Sequence, residues 1–264
     1  MISKNASSFD AAVANYDTDF TFSEIGKKQR GRVYHWLEKI NFFSSSKKVF
    51  EINCGTGYDA EQFLSRGHEV IATDVSSEMI NYAIDKRNEA LTFYTLDFLQ
   101  LKKDENFEKS EVLFSNFGGL NCLNPHDLNN FFKDVATVQK QEDFFIGVFM
   151  AKHCLMEDIY HFLTLKWQKI NRRNTSEALK VNVNKNVVNT YYYSPSELIQ
   201  AMGENYKVQL KKPIAFFLPP SYLEPFFKKN LWLLKGLNYL ERIFGGMSFL
   251  ASYSDHYIIV AKKI

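Results

Sequence analysis

The sequence predicts an α/β fold, a mostly parallel sheet with helices on both faces. Three observations predict it. Between residues 48 and 150, short apolar runs alternate with segments of helical periodicity. Strand–helix–strand units of that length pair in parallel and cross over through the helix. A glycine-rich break, "NCGTG" at 53–57, separates the first apolar run from the segment after it. Two further strand-like runs close the chain, at 207–218 and 256–264.

The elements follow in order. Residues 1–22 are polar and aromatic, and "SEIGKKQRGRVYHWLEKI" at 23–40 reads as a helix. Ser23 caps it, and Ile25, Val33, Trp36, Leu37 and Ile40 line one face. Strands are expected at 49–53, 70–73, 91–96, 111–116 and 144–150, with helices at 59–66, 77–87 and 127–139. After residue 150 the pattern changes. A helical stretch at 151–173 is followed by a strand pair within 177–194 and a helix with Pro195 in its first turn. A long helical stretch, 221–250, follows Pro219 and Pro220. The segments 152–190 and 221–250 are too long for plain connections, so both read as a cap over the sheet edge. The expected organisation is a lid and helix at 1–40, a core at 41–150, a cap insertion at 151–190, and a second part of the core at 191–264 carrying the helical insertion 221–250.

Composition narrows the function classes. The formal charge of +2 gives no global attraction to nucleic acid. No run approaches the length of a membrane span, and "MISKNASSFD" lacks an apolar signal core. Cys54, Cys122 and Cys154 have neither disulfide nor zinc spacing. The six histidines are scattered, so no metal site is expected. A cytoplasmic location is expected, and the sequence is compatible with a homodimer. Aromatic residues, at 16%, are numerous, and the excess reads first as core and second as a pocket for an apolar or aromatic substrate.

The glycine break carries the chemistry. Gly55 and Gly57 let the backbone come close to a ligand, with Ala60 at the third position of a dinucleotide fingerprint. Asp74 ends the second strand, where an acid bonds ribose hydroxyls in sheets of this type. A nicotinamide or flavin cofactor would set a diphosphate on the helix N-terminus. Glu51, Asp59, Asp74 and Asp97 surround the same crevice and would repel it. They suit an ammonium, a sulfonium, a ribose and an adenine amine, the groups of S-adenosylmethionine. An NAD(P)-dependent oxidoreductase and a non-catalytic cofactor-binding or scaffold protein are the competing readings.

"VFEINCGTG" at 49–57 resembles motif I of class I S-adenosylmethionine-dependent methyltransferases, with Asn53 where many members carry glycine. "VIATDVSSEMI" resembles their second motif, "FYTLDFLQL" the third, and "VLFSNFGGLNCL" the strand-4 motif of the small-molecule branch. The resemblance implies a Rossmann-like seven-stranded sheet with an antiparallel last strand. It implies that backbone around Asn53, Cys54, Gly55 and Gly57 faces the methionine part, and that Glu51 orients the turn. Asp74 would hold the ribose, Val75 and Met79 the adenine, and Asp97 the adenine amine beside Phe98. Ser115 and Asn116 would lie near the methionine carboxylate and the methyl. "FDAAVANYDTDF" resembles the segment that closes over the cofactor, so that Tyr16 would cover the methionine and Arg30 pair with its carboxylate.

The implied reaction is methyl transfer to a small-molecule acceptor by in-line displacement, leaving S-adenosylhomocysteine. A base is needed only where the acceptor loses a proton. His256 on the last strand, His153 after the fifth, and the tyrosines at 191–193 are the candidates by position. The cap's aromatics, including the amphipathic stretch 226–244, are expected to pack inward rather than meet a membrane. A nucleic-acid methyltransferase is disfavoured, because "SNFGG" stands where an Asn-Pro-Pro-Tyr type motif would be.

Overall fold

Seven strands form one sheet in the order β3-β2-β1-β4-β5-β9-β8 in the computed structural model, which describes residues 13–183 and 186–264. They are β1 (Lys48–Ile52), β2 (Glu69–Asp74), β3 (Leu91–Thr95), β4 (Val112–Ser115), β5 (Phe144–Met150), β8 (Tyr206–Ile214) and β9 (His256–Lys263). A separate antiparallel hairpin joins β6 (Leu179–Val183) to β7 (Asn186–Thr190). Only β9 runs against its neighbours, pairing antiparallel with both β5 and β8. The antiparallel last strand is therefore borne out. The first twelve residues of the expected lid lie outside the described part.

The strands are apolar on both faces, as a sheet covered on both sides requires. On one face Phe50, Ile52, Leu113, Phe145, Phe149 and Tyr257 share a core with the helices Pro125–Val138 and Pro195–Met202. On the other, Val49, Phe114, Ile146 and Ile258 pack against α1 (Glu24–Lys39), α2 (Tyr58–Leu64) and Ser77–Ala83. Period-2 alternation also puts Glu51 on that second face, beneath α1 and α2.

Local signals set the helix boundaries. Ser23 accepts from the Gly26 amide at the start of α1, as expected, and burial of Ile25, Val33, Trp36 and Leu37 fixes its inner face. Asn124 caps Pro125–Val138, two residues before the expected start. Ser194 and Glu197 form a reciprocal capping box at Pro195–Met202. The helix expected over 151–173 is cut to α5 (Leu155–Leu163), because Leu165 takes a left-handed φ of 57°. The stretch 221–250 divides into α7 (Glu224–Lys229) and α8 (Leu231–Phe244) at Asn230, whose φ/ψ of −126°/51° is not helical.

The topology brings β5 and β8 to the rim where β9 begins, with Met150 and Ile214 both opposite His256. The tips of β1, β2 and β4 end at the same rim. Asn53 follows β1 with a left-handed φ of 51°, a conformation asparagine tolerates better than most residues. Its side chain bridges to the β4 tip. Oδ1 accepts from Ser115 Oγ at 2.9 Å and Nδ2 donates to the Asn116 carbonyl at 3.1 Å. The space for that bridge exists because residue 119 is glycine. A Cβ there would lie 2.1 Å from Asn53 Cγ. Gly119→Ala is expected to destabilise the fold by ~1–3 kcal/mol in urea unfolding. Asn53→Gly in the same chain should recover most of that loss, because the two side chains compete for one space.

Candidate cofactor-binding site

The turn at 53–57 is left-handed at three of its five residues, Asn53, Gly55 and Gly57, with φ of 51°, 54° and 79°. Glycine is required at 57 in any case, since a Cβ would meet the Phe93 ring at 2.7 Å. Asp74 ties the turn to the end of β2. Its Oδ2 accepts from the Gly55 amide and its Oδ1 from the Ser76 amide, each at 2.9 Å. The buried Asp74 carboxylate is thus oriented by two backbone amides.

Asp59, in the first turn of α2, is the charge centre beneath the crevice. It forms a buried ion pair with Arg30 and accepts from Tyr34 Oη at 2.5 Å and Asn116 Nδ2 at 2.9 Å. Arg30 also lies 4.9 Å over the Phe117 ring. Glu51 is 1% exposed and its Oε2 has no hydrogen-bond partner. Burial, with Asp59 nearby, pushes its carboxyl well above the usual carboxylate range.

The N-terminal segment roofs the turn. Tyr16 comes so close that a Cβ on Gly55 would lie 3.4 Å from its ring, and Thr56 Oγ1 donates to Asp17 Oδ1 at 2.6 Å. Desolvation pushes the Tyr16 hydroxyl up to about 12. The cavity left beneath measures about 20 Å³ and is lined by Tyr16, Arg30, Asn53, Cys54, Asn116 and Phe117 among others. That is room for a water and not for a nucleoside.

The structure brings together Tyr16, Arg30, Glu51, Asn53, Cys54, Gly55, Gly57, Asp74, Ser115 and Asn116. The adenine-side residues stand otherwise. Met79 is 1% exposed, and Phe98 packs edge-on to Phe131 at 5.9 Å within the core. Val75 is half-buried. Asp97 caps the turn after β3 by accepting from the Leu99 amide at 2.9 Å. The expected ring of four acids is therefore corrected. Asp59 is paired with Arg30 and Asp97 caps the turn after β3, while Glu51 lies beneath the 53–57 turn and Asp74 bonds its Gly55 amide. Arg30, expected to meet a cofactor carboxylate, is held by Asp59. His256 stands one ring away from the cavity, edge-on to Phe117 at 5.3 Å. His153 is farther out, 2.8 Å from Asn171 Oδ1.

Sequence reasoning missed the residues that seat the cap on the rim. Arg173 donates to Glu157 Oε2 at 2.7 Å and Asp255 Oδ1 at 2.8 Å. Glu157 Oε1 accepts from Arg172 at 2.7 Å and Tyr222 at 2.9 Å, while Gln29 donates to Asp255 Oδ2 at 3.1 Å. These partners are distant in the chain and no local motif announces them. Asp17 did carry a signal, as the neighbour of Tyr16. Burial opposes ionisation of Asp255, but His256 and Arg173 outweigh it and hold its carboxyl far below the usual range.

Comparison with known proteins agrees with this geometry. Residues 49–142 match the family model of a methyltransferase domain. The sheet order with its antiparallel β9 matches the Rossmann-like fold of class I S-adenosylmethionine-dependent methyltransferases, and the chain carries that fold. A malonyl-[acyl-carrier protein] O-methyltransferase of Bacillus anthracis is 30% identical over 121 residues, 44% of this chain and 42% of the relative. The chain therefore matches less than half the length of that relative. A putative S-adenosylmethionine-dependent methyltransferase from Listeria monocytogenes superposes with TM-score 0.59 at 14% identity, covering 88% of this chain and 96% of that one. Magnesium protoporphyrin IX methyltransferase from Synechocystis, solved with bound S-adenosylhomocysteine, superposes with TM-score 0.53 at 13% identity over 90% of this chain and 83% of that one.

Two outcomes are expected. Asp59→Ala strands Arg30 as an uncompensated buried charge and should cost ~3–5 kcal/mol in denaturant unfolding, with Arg30→Met partly restoring it. Because the folded-state pKa of Asp255 is depressed, its stabilisation is present above the unfolded value of about 4 and lost as pH falls below it. In an acid titration, Asp255→Asn should start less stable than wild type at neutral pH and lose less between roughly pH 4 and pH 2.

Proposed function

We propose that the chain transfers a methyl group from S-adenosylmethionine to a small-molecule acceptor, with the cofactor lying over the 53–57 turn. The observation that carries the reading is the Asp74 carboxylate, fixed by the Gly55 and Ser76 amides at the edge of a turn with no Cβ over it. The Glu51 carboxyl group buried beneath that turn is held neutral by its burial and would regain charge only against a cationic ligand, which disfavours a diphosphate there.

When bound, S-adenosylmethionine supplies a methyl carbon already activated by a sulfonium. The protein's share is alignment and exclusion of water. Asp74 takes the ribose, Asn53, Cys54 and Gly55 flank the methionine part, and Asn116 and Phe117 face the methyl. Tyr16 and Asp17 must swing away to admit the cofactor and can close over it afterwards. The caps at 151–190 and 221–250 enclose the acceptor. The Bacillus relative is named a malonyl-[acyl-carrier protein] O-methyltransferase, and a malonyl group carries a carboxylate. A carboxylate acceptor of that kind is ionised at neutral pH and needs no base. For a hydroxyl acceptor, His256 is the better placed of the two histidines, through its contact with Phe117.

Calorimetry tests the reading. S-adenosylhomocysteine should bind and NAD+ should not, and the reverse result would discard it. Asp74→Ala should weaken cofactor binding by ~1–3 kcal/mol through lost ribose bonds. A metabolite screen with labelled methyl donor would then identify the acceptor.

A further inference from the structure

The cap helix α8 is apolar on two sides. Its inner side is fixed by Leu234 and Glu241, both fully buried. On the opposite side Trp232, Tyr239 and Ile243, spaced by seven and four residues and hence in one stripe, are 74%, 65% and 51% exposed. The inward packing expected from the sequence holds for only one of these faces. The other cap segment repeats the pattern. Past the end of α5, Leu165 and Trp167 are 76% and 63% exposed. The two segments adjoin, with the rings of Tyr160 and Tyr222 6.2 Å apart.

The charges on these segments are sorted by sign. Lys166, Lys169, Lys228, Lys229, Lys235 and Arg242 all point to solvent. Of the acids, Glu157 and Glu241 are buried, Glu224 accepts from the amides of Glu24 and Ile25, Asp158 accepts from the Asn171 amide, and Glu177 is exposed, one acid against six cations. On a chain whose net charge is only +2, the outward face of the cap is cationic. Cations among exposed tryptophan, tyrosine and isoleucine match a boundary that is apolar beneath and anionic above.

We infer that this face docks on the surface of an anionic lipid bilayer, the rings entering the headgroup region and the lysines meeting phosphate. Docking is peripheral, since among the described residues no helix is long and apolar enough to cross a membrane. The cations would serve an acidic soluble protein as well. The exposed aromatic stripe beside them favours lipid.

Co-sedimentation of the full chain with vesicles tests this apart from methyl transfer. Wild type should partition to vesicles of phosphatidylcholine mixed with phosphatidylglycerol, far less to phosphatidylcholine alone, and less in high salt. Lys228→Glu, Lys229→Glu and Lys235→Glu combined should lower partitioning by on the order of 100-fold, each cation near the surface being worth about fivefold. Trp232→Ser with Tyr239→Ser should lower it with the charges intact. Thermal melts and S-adenosylhomocysteine binding should stay at wild-type values in both variants, separating lost docking from lost fold. Absence of wild-type partitioning, or equal partitioning of all three proteins, would overturn the proposal. Binding of an acidic acyl carrier protein without vesicle binding would overturn it too.

Discussion

The ion pair between Asp59 and Arg30 is the constraint on which the rest of the rim depends. It joins α1, which precedes the sheet, to α2, which follows the glycine turn, and through Asn116 it reaches the tip of β4. Three elements that need not have met are thereby fixed around one carboxylate. A buried pair of this kind adds little net stability over an apolar replacement. Its value is geometric, because an unpaired charge at the same depth is so costly that alternative arrangements of these tips are excluded. The neighbouring Glu51 has no such partner, and that contrast gives the crevice its local character.

A second polar centre does the same work for the cap. Arg173 lies between Glu157 on α5 and Asp255 at the start of β9, and Tyr222 reaches the same carboxylate from the segment leading into α7. The cap is thus attached to the rim by directional bonds, while its apolar contacts with the body stay modest. Leu223, Phe227 and Leu234 pack with Ile25, Ala215 and Leu218 in a small separate cluster. This division explains why so many large side chains remain on the outer surface of α8. Attachment does not draw on them.

Much of the core was legible because its signals are local. The apolar runs at β1 through β5 and the glycine turn fixed strand positions to within a residue or two. Ser23 and Pro195 marked helix starts by their own chemistry. The expectation for α8 failed in an instructive way. Amphipathic periodicity reports that a helix has an apolar face, not that it has two, and Trp232 and Leu234 look equally ready for burial in a sequence. The pairing of Arg30 was hidden for another reason. A charge on an early helix can satisfy a ligand or a neighbour, and only the meeting of α1 with α2 decides between them. The meeting of Glu157 and Arg173 with Asp255 was invisible because their adjacency is created by the cap's path and by no pattern in the chain.

The roof that Tyr16 and Asp17 place on the glycine turn bears on timing. A space of about 20 Å³ holds nothing of nucleoside size, so occupation of the turn requires the segment carrying Tyr16 and Asp17 to move. Exchange would then run no faster than the N-terminal segment lifts, however weakly a ligand is held. Residence time on the turn becomes a property of residues outside the sheet, open to change without altering any group that touches the ligand's reactive end.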